Sequence, residues 1–255
     1  MKVILINGSP KEKGCTYTAL REIEKQLQKN NIETEIFWLG NKPISGCIGC
    51  GSCLKTGECF MQDKVNEFLE KVPKTDGFIF GSPVHFAATS GMLSSFMDRV
   101  FYGRRKLFSN KLGSAVVSCR RGGATAALDE INKYFEISNM PIVSSQYWNM
   151  VHGNNPEEVL KDEEGMQTMR TLGNNMAWLL KSIEAGKKAG IKLQENESII
   201  YTDSISGLPD FKRYLRTFGK NAHVLEPDSL KKEMEESVEK ALSRYEEETK
   251  KKKKK

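Results

Sequence analysis

Lys2-Val3-Ile4-Leu5-Ile6-Asn7-Gly8-Ser9-Pro10-Lys11-Glu12-Lys13-Gly14-Cys15-Thr16 is the stretch whose reading decides the fold. Its first half is an apolar run without polar alternation, as in a strand covered on both faces. Gly8-Ser9-Pro10 then breaks the pattern, and a helix is expected over Thr16 to Lys29. Gly8 and Gly14 permit backbone conformations that aim N–H groups inward. Ser9 and Thr16 add hydroxyl donors, and the helix N-terminus favours an anion. A Walker loop would need Lys-Ser/Thr after a second glycine, and a dinucleotide loop would need G-x-G-x-x-G; neither is present. The residues alone favour a phosphate-binding turn over an ordinary strand-to-helix connection.

Outward from this stretch, apolar runs and amphipathic segments alternate over the first 190 or so residues, the pattern of βαβ units around a parallel sheet. Strands are expected at Lys2–Asn7, Glu33–Leu39, Gly77–Gly81, Gly113–Ser118 and Pro141–Gln146. Helices are expected at Thr16–Lys29, Lys64–Val72, Gly91–Phe101, Ala124–Ile137 and Met166–Ala189. In the last of these, Leu172, Met176, Leu179, Leu180 and Ile183 recur at helical spacing. Right-handed crossovers make this an α/β fold with a doubly wound five-stranded parallel sheet in the order 2-1-3-4-5. A ligand crevice is then expected where strands one and three diverge. Two stretches, Asn41–Gln62 and Asn149–Gly165, read as long loops of the kind that carry function.

Beyond Gly190 the character changes. A strand at Ser198–Thr202, a short helix at Asp210–Phe218, a strand at Ala222–Leu225 and a charged helix from Asp228 to about Glu248 are expected. The boundary is placed near Leu193, giving a domain over residues 1–193 and a C-terminal strand–helix extension over 194–255.

Hydrophobic residues make up 38% and charged residues 28% of the 255-residue chain, which suits a soluble globular protein. The net charge of +6 equals the six lysines of Lys250–Lys255, so the remainder sums to about zero. With no basic helix and no interleaving of aromatic and basic residues, nucleic acid is not an expected partner. The N-terminus shows no export pattern, and 18 consecutive apolar residues occur nowhere, so a cytoplasmic, non-membrane protein with reduced or metal-bound cysteines is expected.

Three further segments carry chemistry. The third strand runs into Gly81-Ser82-Pro83-Val84-His85-Phe86, followed by Asp98-Arg99. The fourth runs into Ser118-Cys119-Arg120-Arg121-Gly122-Gly123. Cys47, Cys50, Cys53 and Cys59 are spaced C-x2-C-x2-C-x5-C among Gly46, Gly49, Gly51 and Gly57. Such compact spacing wraps the corners of a [4Fe–4S] cubane better than it makes the paired sites typical of zinc. Free thiols or a disulfide remain the alternative. Cys15 and Cys119 stand apart and read as buried apolar residues.

Gly8-Ser9-Pro10 with Gly14-x-Thr16 resembles the FMN-phosphate loop of the NADPH-dependent FMN reductase-like proteins in the flavodoxin-like superfamily. The Gly-Ser-Pro-Val-x-aromatic loop and downstream Asp-Arg resemble the same family more strongly. The resemblance implies phosphate contacts from Ser9, Lys11, Gly14 and Thr16, and a weak one from Cys15, which stands where the family commonly has Asn. It implies an isoalloxazine wall from Ser82, Pro83, Val84, His85 and Phe86. The approach to the ring from the fourth strand falls to Cys119, Arg120, Gly122 and Gly123, where a nearby Arg favours an anionic reduced flavin. Asp98 and Arg99 read as a structural pair or interface. The cysteines and their place after the second strand resemble the iron–sulfur flavoproteins, which carry a [4Fe–4S] cluster beside FMN but are usually shorter. Phe218–Pro227 and the helix after it weakly resemble the segment following WYL domains of bacterial regulators; an extra strand–helix unit is favoured.

The implied activity is an oxidoreductase in which NADH or NADPH reduces FMN and electrons pass to a small molecule or protein, in a homodimer or homotetramer. No catalytic acid, base or nucleophile is demanded. An electron carrier without a nicotinamide substrate and a redox-sensing module are the alternatives.

Overall fold

The computed structural model describes residues 1–191 and 228–252. Two compact units divide the chain, Met1–Leu193 and Gln194–Lys255. In the first, β1 (Lys2–Asn7), β2 (Glu33–Trp38), β3 (Gly77–Pro83), β4 (Leu112–Cys119) and β5 (Met150–His152) form one sheet in the order β2-β1-β3-β4-β5. Every pairing is parallel. This is the doubly wound topology expected from the alternation, and its switch point lies between β1 and β3.

Side chains alternate across the sheet and bury both faces. Ile4, Ile6, Phe78, Phe80 and Val117 join the core under α3 (Lys64–Leu69), α4 (Gly91–Arg104) and α5 (Ala124–Glu136). Val3, Leu5, Ile79, Val116 and Val151 join the opposite core under α1 (Cys15–Lys29) and α7 (Glu163–Lys188). Burying a Leu, Ile or Phe is worth about 1.5–3 kcal/mol, so two full cores rather than local propensity hold the strands. The first core is rich in phenylalanine: Phe68 sits 5.3 Å from Phe96 and 5.8 Å from Phe78 by ring centroids, both edge-on.

Three expectations are corrected. The fifth strand is not Pro141–Gln146. That segment makes a single parallel bridge, Ile142 to Gly113, and regular pairing with Val117–Cys119 begins only at β5. As an edge strand it needs partners on one side only, so the interruption orphans few backbone groups. Asn149–Gly165 is not a loop. It holds β5 and α6 (Pro156–Lys161), whose first turn is capped by the Asn155 side chain accepting from the Glu158 N–H at 2.9 Å. Asn41–Gln62 contains a short helix, α2 (Ser52–Thr56).

The expected elements between Ser198 and Leu225 lie outside the described residues. The charged helix is present as α8 (Asp228–Lys252). Among the described residues, no helix is long and apolar enough to cross a membrane.

Candidate functional site

The loops following β1, β3 and β4 interlock at the carboxyl edge of the sheet. The Gly8 N–H donates to the Gly81 carbonyl at 2.8 Å, and the Ser90 hydroxyl donates to the Gly8 carbonyl at 2.7 Å. From β4, the Ser118 carbonyl accepts the Val84 N–H at 2.9 Å, while the Ser118 hydroxyl meets that of Thr16 at 2.9 Å. Most of the residues expected to hold a flavin therefore stand on three loops that meet at one edge of the sheet.

In the first loop, the Ser9 hydroxyl accepts the Lys11 N–H at 3.1 Å and keeps its own proton to donate. Gly14 begins α1 without a side-chain cap, so no side chain occupies the N–H groups of the first turn. Uncapped amides at a helix N-terminus beside a buried hydroxyl fit a phosphate. The Thr16 side chain is buried and turned toward Ser118, which leaves its backbone N–H as its contribution to the loop. Cys15 points elsewhere, with its thiol 3.8 Å from the Gly153 carbonyl and pushed up by burial. Lys11 is exposed at the rim.

Two residues given no role in the sequence reading shape this loop. Asn7, fully buried, accepts the Ser9 N–H at 3.1 Å and donates to the Glu12 carbonyl at 2.9 Å, bridging the loop from beneath. Trp38 on β2 donates its indole N–H to the Ser9 carbonyl at 2.9 Å.

The β3 loop is clasped at its base and strained at its tip. Ser82 is buried, accepting the Ser90 N–H at 2.9 Å and donating to the Pro83 carbonyl at 2.8 Å, so it organises the loop. His85 and Ala88 close a tight hairpin by exchanging backbone hydrogen bonds of 2.9 and 3.0 Å. Its two central residues, Phe86 and Ala87, take φ of 51° and 61°, a left-handed conformation that costs non-glycine residues of order 1–3 kcal/mol each. The turn holds the Phe86 ring wholly in solvent, at 105% relative exposure, beside the crevice.

Glu130 on α5 fixes the other end of this loop. Its carboxylate accepts from the Thr89 N–H at 2.8 Å, the Thr89 hydroxyl at 2.9 Å and the Ser94 hydroxyl at 3.1 Å. In the loop following β4, Arg120 and Gly122 are exposed. Gly123 starts α5 at φ +87°, and a Cβ there would lie 2.7 Å from the Ala87 Cα, so glycine alone lets the two loops meet. Cys119 is buried, and burial followed by the charge of Asp162 pushes its thiol up.

The four clustered cysteines gather separately, along α4. Cys47, Cys50, Cys53 and Cys59 line one open pocket with Phe60 and Arg99. All four are free thiols, with Cys47 and Cys50 exposed. Burial first, then the nearby charges of Cys59, Cys47 and Cys50, push the Cys53 thiol up. Among the described residues no group of three or more His, Cys, Asp or Glu side chains is arranged as it stands to hold a metal ion. A four-iron cluster asks for something different, one thiolate on each of four separated irons. Four free cysteines lining one pocket are the donor type that such a cluster takes. Gly103 on α4 leaves space that Cys53 occupies, since a Cβ there would run into the Cys53 side chain. Arg104, packed against Gly57, keeps a buried Nε donor without a partner. Asp98 and Arg99 are not a pair: Asp98 accepts from the Tyr134 hydroxyl at 2.5 Å, while Arg99 joins Asp63 and Cys59.

Comparison with known proteins gives the family and the fold. The family model described as NADPH-dependent FMN reductase matches residues 1–155. A second model, the WCX domain, matches residues 159–242, overlapping α7 of the first unit. An iron–sulfur flavoprotein of Methanocaldococcus jannaschii is 36% identical over 192 residues, covering 72% of this chain and all of that protein. A second from the same organism is 30% identical over 196 residues, covering 71% of this chain and 98% of that protein. The solved structure of a flavone reductase superposes with a TM-score of 0.57 at 16% identity, covering 72% of this chain and 64% of that one.

Proposed function

This chain belongs to the NADPH-dependent FMN reductase family, in its iron–sulfur flavoprotein branch, and on that premise we propose that it is an FMN-dependent oxidoreductase. In this reading NADH or NADPH is the electron donor, a small molecule or protein is the acceptor, and Cys47, Cys50, Cys53 and Cys59 hold a [4Fe–4S] cluster. Bound FMN supplies exchange between two-electron and one-electron carriers.

The residues do the holding and tuning. The first-turn amides of α1 and the Ser9 hydroxyl bind the phosphate, with Asn7 and Trp38 keeping the loop closed. Pro83, Val84, His85 and Phe86 form the wall against the ring, and Arg120 brings positive charge to its neighbourhood. No side chain needs to act as acid, base or nucleophile.

One observation carries the proposal: an uncapped α1 N-terminus and a glycine-bounded serine loop stand at the β1/β3 switch point, interlocked with the β3 and β4 loops. The unit Met1–Leu193 supplies all of these residues, and we take the chain from Gln194 as an appendage to it. Anaerobic addition of NADPH, then NADH, to FMN-loaded protein tests the donor. Bleaching of the flavin band within the mixing time of a turnover assay supports the reductase. No bleaching by either nucleotide leaves the electron-carrier reading, which the cysteine pocket on the same chain favours.

A further inference from the structure

Arg99 is the most densely bonded side chain near the cysteine pocket, and its partners span the loop that carries the cysteines. Its side chain is 1% exposed and forms an ion pair with Asp63 at 2.6 Å. Nη1 also donates to the Ser45 carbonyl at 3.3 Å, just ahead of Cys47. Nη2 reaches the Met61 carbonyl at 3.0 Å and Asp63 Oδ1 at 2.9 Å, just beyond Cys59. The remaining direction of the fork faces sulfur: Nε and Nη2 lie 3.4 and 3.2 Å from Cys59 Sγ. One buried cation thus clasps both ends of the loop and directs two N–H groups at one thiol.

That arrangement is poorly spent on a neutral thiol, whose sulfur is a weak acceptor. It suits a sulfur bearing negative charge, where donation by a cation is markedly stronger. On the reading that these cysteines hold a [4Fe–4S] cluster, we propose that Arg99 is a positioning residue that sets the Cys59 sulfur and raises the reduction potential of the cluster. Reduction adds one electron and one negative charge without breaking a bond. A buried guanidinium bonded to a ligand sulfur offsets that added charge. Asp63 has the opposite sense, since its carboxylate faces the same guanidinium and neutralises part of its charge.

The test uses full-length protein reconstituted anaerobically with iron and sulfide, comparing wild type, Arg99→Lys and Asp63→Asn. Iron and sulfide are measured per chain, and the midpoint of the cluster is followed by electron paramagnetic resonance during dithionite titration. Arg99→Lys keeps the charge but loses the fork that donates to Cys59 Sγ, so at the wild-type midpoint the ratio of reduced to oxidised cluster should fall, each tenfold being about 59 mV for a one-electron couple. In Asp63→Asn the midpoint should move the other way, a reversal that a merely structural role would not produce. Midpoints unchanged in both variants overturn the proposal. If Arg99→Lys takes up no iron, Asp63→Asn decides: a positive shift supports the assignment, and an unchanged or negative one overturns it. Wild-type protein without iron or sulfide is a separate result, because the cluster reading then fails and the tuning role falls with it.

Discussion

Replacing Asn7 with Ala should separate binding of the phosphate from binding of the ring. Asn7 is fully buried and makes two hydrogen bonds, accepting from Ser9 N–H and donating to the Glu12 carbonyl. Glu12 is exposed, so its carbonyl turns to water at little cost. The Ser9 N–H belongs to a residue only 5% exposed, and stranding it costs about 1–3 kcal/mol. A central value of about 2 kcal/mol, expressed in a loop that must be closed around phosphate, corresponds to a roughly 30-fold weaker Kd for FMN. Riboflavin lacks the phosphate and should lose no more than about threefold, well inside 1.4 kcal/mol. Asn7→Asp keeps an acceptor for Ser9 but places a carboxylate under the phosphate, so FMN should suffer more than in the Ala variant while riboflavin again is spared. Titration of apoprotein with each ligand, followed by quenching of flavin fluorescence, measures all four effects. Equal losses for FMN and riboflavin would refute the reasoning, as would unchanged FMN affinity in both variants.

Glu130→Ala removes the acceptor of three hydrogen bonds and should lower stability by about 2–3 kcal/mol, the cost of stranding the Thr89 N–H plus a share of the hydroxyl bonds. Urea unfolding reads this as a lower midpoint at unchanged slope, and a midpoint equal to wild type contradicts it. Gly103→Ala should reduce iron uptake on anaerobic reconstitution by displacing Cys53, while FMN affinity stays within twofold; full iron content would show that the approach of α4 to Cys53 is not needed. Glu22 on α1 pairs with Lys25 at 3.1 Å and with Arg170 of α7 at 3.2 Å. Burial alone pushes its carboxyl up, but the hydrogen bonds and charges of Lys25 and Arg170 outweigh burial and hold it below the ordinary 4.5. Its contribution is therefore present above that ordinary value and lost as pH falls through the lower folded value. Glu22→Gln should be about 1 kcal/mol less stable at neutral pH and converge on wild type in acid; a difference that persists at low pH contradicts the ion-pair account.

Much of the architecture was legible because buried parallel strands leave short apolar runs between amphipathic helices, and β1, β3 and β4 do so plainly. The fifth strand was misplaced because two segments share the edge beside β4. Val143 and its neighbours look like a strand but bridge β4 only at Gly113, while Met150-Val151-His152 pairs properly yet is too short to announce itself. The helix α6 did leave a signal, Asn155-Pro156-Glu157-Glu158, a capping residue followed by proline and acidic residues at a helix start. The meeting of the three expected loops at one edge of the sheet was legible, since glycine and serine loops follow β1, β3 and β4 in order. The site was not legible where distant side chains meet. Arg99 and Cys59 are 40 residues apart, and Glu130 and Thr89 are 41 apart, so only the folded chain brings them together. Strain at Phe86 and Ala87 was equally hidden, because neither residue type advertises a left-handed turn.

In the proposed function one chain holds FMN where the loops after β1 and β3 meet and an iron–sulfur cluster on the four cysteines beside α4. The most direct test is chemical analysis of full-length protein purified without oxygen: flavin released by denaturation, with iron and acid-labile sulfide per chain. FMN should be the released flavin, close to one per chain, with about four irons and four sulfides, as the cluster type requires. Release of FAD in place of FMN contradicts the single phosphate loop. FMN without iron or sulfide, after reconstitution as well as before, contradicts the cluster and leaves a simple flavin reductase.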